Sequence, residues 1–219
     1  MFQEIKNIVI LGPQGSGKGT QAEILALKFQ FAHIETGKIF RKLAKQRSPL
    51  GRQINDLVNK KGKLLPSDFV GKVLRGELKK ISIKKGLVFD GYPRNLIQAK
   101  TLNSVMIYLK RKLTHVIYLP ISRKTTIKRL SLRRTCENCN RIFIEGVNLS
   151  KNQKLCPFCR GKIFQREDDK PKAIAKRLDI YNKSTRPVIN YYQKKGILIK
   201  INGEPPINLV AKKIFRALR

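Results

Sequence analysis

The stretch that decides the fold is Gly12-Pro13-Gln14-Gly15-Ser16-Gly17-Lys18-Gly19-Thr20, which fits the phosphate-binding pattern G-x-x-x-x-G-K. It follows an apolar run over 5–11 that is typical of a buried strand, and it opens a predicted helix over 18–29. Glycines in such a turn let consecutive backbone N–H groups face phosphate oxygens, while the helix N-terminus and Lys18 add positive charge. The stretch therefore predicts a nucleoside triphosphate site, whose binding residues are Gly15, Ser16, Gly17, Lys18, Gly19 and Thr20.

The residue after the loop lysine indicates how a metal ion would be held. Many proteins with this loop have a serine or threonine there that binds magnesium directly, but this chain has Gly19, and Thr20 comes one position later. Magnesium must therefore be held by other means. Asp90 lies at the carboxyl end of a predicted parallel strand over 87–90, close to the expected position of the loop. We expect Asp90 to orient magnesium through water molecules.

Strand and helix patterns alternate along most of the chain. Further strands are predicted over 87–90, 114–119 and 196–201, and a last helix follows Pro205-Pro206. This alternation predicts an α/β protein with a parallel sheet and helices on both faces. Two stretches interrupt it, one with short helices and one with cysteines and turn residues. We therefore expect a core formed by 1–34, 67–133 and 170–219, with insertions at 35–66 and 134–169.

Length and composition exclude several classes of protein. The 219 residues and 25.1 kDa fit one domain with insertions, and the hydrophobic fraction of 41% is too high for a disordered chain. The longest apolar runs are far shorter than the roughly 18 residues that a membrane helix needs. The first residues lack a basic segment followed by a long apolar one, so we expect a cytoplasmic protein. We also expect it to be a monomer.

The charge is unusual, because 48 Lys and Arg face 14 Asp and Glu, which gives a formal net charge of +34. Such a balance favours an anionic partner, namely nucleotides, nucleic acid or anionic lipid, although drift toward lysine on solvated faces is an equally open explanation. Basic clusters such as Lys79-Lys80 and Lys110-Arg111-Lys112 recur without an interleaved aromatic platform. We therefore expect nucleic-acid binding to be weak, insensitive to sequence and steeply salt-dependent.

All four cysteines of the chain lie in two C-x-x-C pairs, Cys136-Glu137-Asn138-Cys139 and Cys156-Pro157-Phe158-Cys159. Two such pairs at this separation are typical of a zinc site with four thiolate ligands. Two disulfides are the alternative, which a reducing cytoplasm disfavours. Four protein ligands leave no position for a substrate, so we expect the zinc to hold together a small β-rich segment.

The motifs resemble, in order and spacing over essentially the whole chain, those of the adenylate kinases. The resemblance begins at Gly12–Gln21 and continues with Thr36-Gly37 and Arg41, with Gly62–Pro66, and with Asp90-Gly91-Tyr92-Pro93-Arg94 and Gln98. It extends to Arg129, the pair Arg133-Arg134, the segment Arg166–Asp169, and Arg177. The resemblance implies a P-loop core, a helical AMP-binding insertion and a zinc-bearing lid over ATP. It also implies a nucleoside monophosphate kinase that converts MgATP and AMP reversibly into two ADP.

The resemblance also implies residue roles that agree with the chemistry of phosphoryl transfer. The transition state spreads negative charge over equatorial oxygens, which guanidinium groups match in two-pronged fashion. A solvated surface charge is the alternative for any single arginine. The expected catalytic residues are Lys18, Asp90, Arg94, Arg129, Arg133, Arg166 and Arg177. Further ATP contacts are expected from Arg129, Arg133, Ile142, Phe143 and Pro205. The expected AMP contacts are Thr36, Gly37, Arg41, Lys63, Leu64, Leu65, Gly91, Tyr92, Pro93, Arg94, Gln98, Arg166 and Arg177.

Two of these expectations have open alternatives. Phe143 lies where relatives place an aromatic residue against the ATP adenine, but a residue of the lid core is almost equally compatible. The family segment S-T-G-D is Glu35-Thr36-Gly37-Lys38 here, so a lysine replaces an acid that helps to hold the magnesium waters in relatives. We therefore assign no magnesium role to Lys38.

Two classes of function are compatible with the sequence. The first is the kinase, and within that class a GMP, UMP or CMP kinase is the second choice. Thr36 together with Gln98, whose amide could read the base, favours adenine. The second class is a P-loop protein whose basic surface binds RNA or ribosomes. The arginines and the AMP-site residues favour the enzyme, because a binding protein would not need them.

Overall fold

A computed structural model describes residues 6–55 and 66–218. Outside the two insertions, its helices and strands largely alternate, as the sequence predicts. They are β1 (Asn7–Leu11), α1 (Lys18–Phe29), β2 (Ala32–Glu35), α2 (Thr36–Ala44), α3 (Pro49–Asn55), α4 (Ser67–Lys79), β3 (Leu87–Asp90), α5 (Leu96–Tyr108), β4 (His115–Tyr118), α6 (Arg123–Ser131), β5 (Arg133–Cys136), β6 (Ile142–Ile144), β7 (Ile163–Phe164), α7 (Pro171–Ser184), α8 (Arg186–Lys194), β8 (Leu198–Lys200) and α9 (Ile207–Ala217).

The central sheet has five strands in the order β2-β3-β1-β4-β8, and every neighbouring pair is parallel. This confirms the predicted α/β fold. β1 lies in the middle of the sheet, with β3 on one side and β4 on the other. In parallel sheets, ligands bind in the crevice beyond the carboxyl ends of the strands, where the connections leave in opposite directions. The glycine-rich loop follows β1 and therefore lies at that crevice.

The sheet is covered on both faces by apolar clusters. On one face, Val9 and Phe89 pack in a core that includes Leu74, Leu102 and Val188 from three helices. On the other face, Ile10 and Val88 pack with residues of α1 and α9. All five residues of β1 are buried, which is expected for a strand with helices on both sides. This burial holds the start of the phosphate-binding loop rigidly in place.

A second, smaller sheet has three antiparallel strands in the order β6-β5-β7. It belongs to the segment with the four cysteines, and its small core contains Cys136, Phe143, Leu149 and Cys156. Four buried residues are too few for a segment of this size to fold on apolar burial alone. A crosslink or a metal is therefore needed to stabilise it.

The strand bounds show where the sequence pattern was insufficient. The strand predicted over 114–119 is His115–Tyr118, and the helix predicted over 18–29 is Lys18–Phe29. β2 was not predicted, because Ile34 is the only buried residue of its four. A strand at the edge of a sheet needs little apolar sequence, since its backbone hydrogen bonds to β3 hold it.

Arg111 is a buried cation in this strongly basic chain. The residue is 7% exposed, and its guanidinium donates hydrogen bonds to the carbonyl oxygens of Ile81, Ser82 and Lys85, which follow α4. Burial lowers its pKa, but the carbonyl acceptors replace the lost water.

None of the described helices is both long enough and apolar enough to span a membrane.

Candidate active site

The phosphate-binding loop connects the buried β1 to α1 through glycines in left-handed conformations. Gly15 has φ of 78° and Gly17 has φ of 84°, values that favour glycine, and Gly17 is the N-cap of α1. A Cβ at position 12 would lie 2.7 Å from the carbonyl oxygen of Leu119, so the loop packs closely on the end of β4, the neighbour of β1 in the sheet. The backbone N–H groups at the start of α1 are consequently held in position for an anion.

Lys18 lies at the centre of a cluster of charges. Its Nζ donates a hydrogen bond of 2.8 Å to the carbonyl oxygen of Pro13, within the loop. The pKa of Lys18 is lowered to about 8, chiefly by burial; Asp90 opposes this shift, and the positive charges of Arg94, Arg177 and Arg133 add to it. The free site thus has an excess of positive charge that a polyphosphate would neutralise.

Asp90 ends β3, and its strand neighbours in register are Ile10 and Glu35. Burial raises the pKa of its carboxyl group, while the nearby Lys18 lowers it. A Cβ on Gly19 would lie 3.0 Å from Oδ2 of Asp90, which is closer than most such contacts. Glycine at position 19 therefore leaves room for the Asp90 carboxylate beside the loop. A hard oxygen ligand at this place fits the role of holding magnesium waters.

A second group of residues lies just beyond Asp90. Gly91 has φ of 74°, and the position of a Cβ there would be 3.5 Å from Nη2 of Arg94 and 3.8 Å from Oγ1 of Thr36. Nε of Arg94 donates to the carbonyl oxygen of Gly91, at 2.9 Å. The Tyr92–Pro93 peptide bond is cis, and Tyr92 is buried. The turn thus brings the guanidinium of Arg94 close to Thr36 at the start of α2.

Gln98 is also in this group, in the first turn of α5. Its Oε1 accepts a hydrogen bond of 2.7 Å from the backbone N–H of Arg94, and its own N–H donates to Oδ1 of Asn95, the N-cap of α5. The side-chain carbonyl of Gln98 is therefore engaged with the backbone. The side-chain amide of Gln98 was expected to read the AMP base through both Oε1 and Nε2. This hydrogen bond engages Oε1 and leaves Nε2 for a ligand.

Arg129, in the last turn of α6, bridges two loops. Its Nη1 donates to the carbonyl oxygens of Gly15 and Gly203, at 3.2 and 3.0 Å, and its Nη2 donates to that of Glu204, at 2.8 Å. The guanidinium therefore lies between the phosphate-binding loop and the loop that leads to Pro205. ATP contacts were expected from both loops, namely from the phosphate-binding loop and from Pro205.

Asp169 holds two of the predicted arginines, although the sequence analysis gave it no role. Its carboxylate is fully buried and accepts hydrogen bonds of 2.7 and 2.5 Å from Arg133, and Arg177 lies 3.5 Å away. Arg166 begins the same short turn, and its carbonyl oxygen accepts from the N–H of Asp169, at 3.0 Å. A run of three acids after Arg166, which Asp169 ends, in a chain with 14 acidic residues was the available signal.

The remaining predicted residues are less well placed or lie outside the description. Lys63, Leu64 and Leu65 are outside the described residues, and the side chain of Arg41 is not among those described. Phe143 is 3% exposed in the core of the small sheet, as in the alternative given for it, whereas Ile142 is 54% exposed. An adenine contact from this pair would consequently come from Ile142.

The four cysteines come together in space. Their sulfur atoms all lie within 4.8 Å of one another, with 3.4 Å between Cys136 and Cys159 and 3.8 Å between Cys139 and Cys156. All four are free, and these separations are far longer than a disulfide bond of about 2.05 Å. Zinc–sulfur bonds of about 2.3 Å in a tetrahedron place sulfur atoms roughly 3.8 Å apart. The cluster therefore fits a tetrathiolate metal site.

A parallel sheet with a glycine-rich loop after its central strand, surrounded by arginines, defines a P-loop phosphotransferase. Residues 10–197 match the family model described as adenylate kinase. The chain is 38% identical to the adenylate kinase of Thermosipho africanus over 97% of its length and 99% of that protein. It is 38% identical to that of Caldanaerobacter subterraneus over 96% of its length and 95% of that protein. It is 37% identical to that of Methanocella arvoryzae, over 96% and 97% respectively. The chain belongs to the adenylate kinase family and is a nucleoside monophosphate kinase.

The first prediction concerns Asp169. Replacing it by Asn should lower kcat by about two orders of magnitude, because Arg133 and Arg177 lose the charge that positions them. Steady-state kinetics below the melting temperature measures the effect. The matched control is Glu167→Gln, two residues earlier, where the side chain is 85% exposed and forms a surface ion pair with Lys170. The control should stay within about twofold of wild type, and equal activities of the two variants would contradict the role of Asp169.

The second prediction concerns the cysteine cluster. Elemental analysis of the purified protein should find about one zinc per chain, and Cys156→Ser should reduce the zinc content and lower the melting temperature. Calorimetry with and without a chelator measures the contribution of the metal to stability. Finding no metal by elemental analysis, with two disulfides by mass spectrometry, would show that the cysteines crosslink the segment instead.

Proposed function

We propose that this protein transfers a phosphoryl group reversibly from MgATP to AMP, giving two ADP, beyond the carboxyl ends of its five parallel strands. The observation that carries this proposal is the charge cluster around Lys18, which faces Asp90, Arg94, Arg133 and Arg177. Phosphoryl transfer requires positioning and charge neutralisation far more than acid–base chemistry. An excess of fixed positive charge around a phosphate-binding loop supplies both.

The geometry supports separate places for the two nucleotides. ATP would lie on the loop of 12–20, with Arg129 and the loop before Pro205 on the outer side. AMP would lie at the turn formed by Gly91 and Arg94, beside Thr36 and Gln98. Lys18 and Asp90 come between these two groups, where the γ-phosphoryl group must pass. Arg133 and Arg177, held by Asp169, would neutralise the charge that develops on its oxygens.

Magnesium would be held beside the phosphates by Asp90 through water molecules, and when bound it neutralises phosphate charge. The chain itself provides the orientation of both substrates and the exclusion of water. We propose that the insertions at 35–66 and 134–169 close over the nucleotides, since water would otherwise accept the phosphoryl group. A structural zinc ion in the cysteine cluster would keep the second insertion folded.

The same proposal includes the setting in which the enzyme works. We expect a monomer in the cytoplasm that serves nucleotide homeostasis. Its net charge of +34 is expected to give weak, salt-sensitive contacts with nucleic acids as a by-product of composition. An RNA-binding function would instead require sequence discrimination. The exposed rings of Tyr108 and Phe158 are already stacked against basic side chains of the chain itself, Arg75 and Lys79 in the first case and Arg141 in the second.

The third prediction tests the function with a panel of nucleoside monophosphates. With ATP and magnesium, AMP should be phosphorylated at least tenfold more efficiently than GMP, UMP or CMP. Lys18→Ala should lower kcat/KM by a hundredfold or more, because it removes a charge that contacts the transferred group. The exposed Lys213 on α9 is the matched control, and Lys213→Ala should retain the wild-type rate. Preference for another monophosphate, or a tenth of wild-type activity in Lys18→Ala, would contradict the assignment.

A further inference from the structure

Glu204 connects three parts of the molecule, although no motif marks it. It lies in the loop between β8 and α9, directly before Pro205. Its Oε1 accepts a hydrogen bond of 2.6 Å from the backbone N–H of Ser122, and its Oε2 accepts one of 2.5 Å from the hydroxyl of Thr125. Ser122 is the N-cap of α6, so the carboxylate lies at the positive end of that helix.

The backbone of the same residue holds Arg129 at the other end of α6. The carbonyl oxygen of Glu204 accepts from Nη2 of Arg129, and the carbonyl oxygen of Gly203 accepts from Nη1. Nη1 also donates to Gly15 in the phosphate-binding loop. The loop around Glu204 therefore touches both ends of α6 and, through Arg129, the loop that would hold the ATP phosphates.

The hydrogen bonds of Glu204 are of the strong, charge-assisted kind. The hydroxyl of Thr125 and the backbone N–H of Ser122 lower the pKa of its carboxyl group, and Arg129 contributes to the same direction. The carboxylate is therefore ionised at neutral pH. The loop is fixed further by Gly203, whose N–H donates to the carbonyl oxygen of Pro120, and by Asn202, whose Oδ1 accepts from the N–H of Glu204. These contacts leave Arg129 little freedom to reorient.

Three of the five N–H groups of Arg129 are used by these carbonyl oxygens. The remaining two, on Nε and Nη2, and the flat face of the guanidinium are available for a ligand. We propose that Glu204 is a positioning residue that sets the orientation of Arg129 and thereby the affinity for ATP, with little effect on AMP. This inference rests on the proposed function and deepens it, because it separates the two substrates.

The selectivity for ATP follows from where the contacts lie. Glu204, Thr125 and Arg129 all belong to α6 or to the loop after β8, next to the phosphate-binding loop. The group around Thr36, Arg94 and Gln98 lies beyond β2 and β3, on the other side of β1. A substitution of Glu204 should therefore change the affinity for ATP more than the affinity for AMP. A residue needed only for stability would affect both substrates equally.

The fourth prediction compares Glu204→Ala, Glu204→Gln and Thr125→Val in the full-length protein. Glu204→Ala should raise both the KM for ATP and the Kd for ATP, measured by titration calorimetry without AMP, about tenfold. The KM for AMP and kcat should stay within about twofold to threefold. Glu204→Gln keeps the length of the side chain and an acceptor for Ser122, so it should restore most of the ATP affinity. Thr125→Val removes the hydrogen bond from the Thr125 hydroxyl to Oε2 of Glu204 and should likewise lower the affinity for ATP.

The controls separate positioning from stability and charge. Glu77→Ala removes an acid from an exposed pair with Lys80 on α4, changes the net charge equally, and should leave both KM values unchanged. The double variant Glu204→Ala/Thr125→Val should resemble Glu204→Ala alone, because both changes break one interaction. Equal increases in the KM for ATP and for AMP, or a lower melting temperature with unchanged ATP affinity, would overturn the inference. Because the Kd is read without turnover, a wild type that binds ATP but does not phosphorylate AMP would refute the proposed function and leave this inference standing.

Discussion

The active site depends on the confinement of several like charges at one edge of a parallel sheet. Burial lowers the pKa of Lys18, and the positive charges of Arg94, Arg177 and Arg133 lower it in the same direction, so the free site holds charges that repel one another. They are held there by the rigid burial of β1 and by a few carboxylates. We propose that the energy of this arrangement is recovered when phosphates enter, and that this is the physical basis for binding and for stabilising the transition state.

Each carboxylate near the site has a different partner. Asp90 faces Lys18 from the end of β3, and Asp169 holds Arg133 and Arg177 from a buried turn. Glu204 accepts hydrogen bonds from Ser122 and Thr125 at the start of α6, and its carbonyl oxygen accepts one from Arg129 at the end of that helix. In a chain with 14 acidic and 48 basic residues, three of the scarce acids thus serve the organisation of the arginines and the lysine.

The sequence predicted the parts of the site that depend on local chemistry. A glycine-rich loop between a buried strand and a helix requires specific residues at fixed spacing, and so do two C-x-x-C pairs. Asp169 and Glu204 could not be assigned in this way, because their roles arise from contacts across 36 and 75 or more positions of the chain. β2 was missed for the related reason that an edge strand is defined by its neighbour β3 more than by its own residues. For Phe143 the sequence left two environments open, and the structure places it in the core of the small sheet.

The most direct test of this account is the pKa of Lys18, measured by NMR on protein labelled at the lysine side chains, with Lys18→Arg to assign the signal. In the free protein the Lys18 signal should titrate near pH 8, because burial and three arginines disfavour its charge. Below that pH the lysine is charged at a cost to stability, and this cost disappears as pH rises toward the ordinary lysine value. Bound ATP should raise the pKa by at least one unit, since its phosphates favour the charged form. A Lys18 that titrates near 10.5 without nucleotide, and does not respond to ATP, would contradict the claim that confined positive charge organises the site.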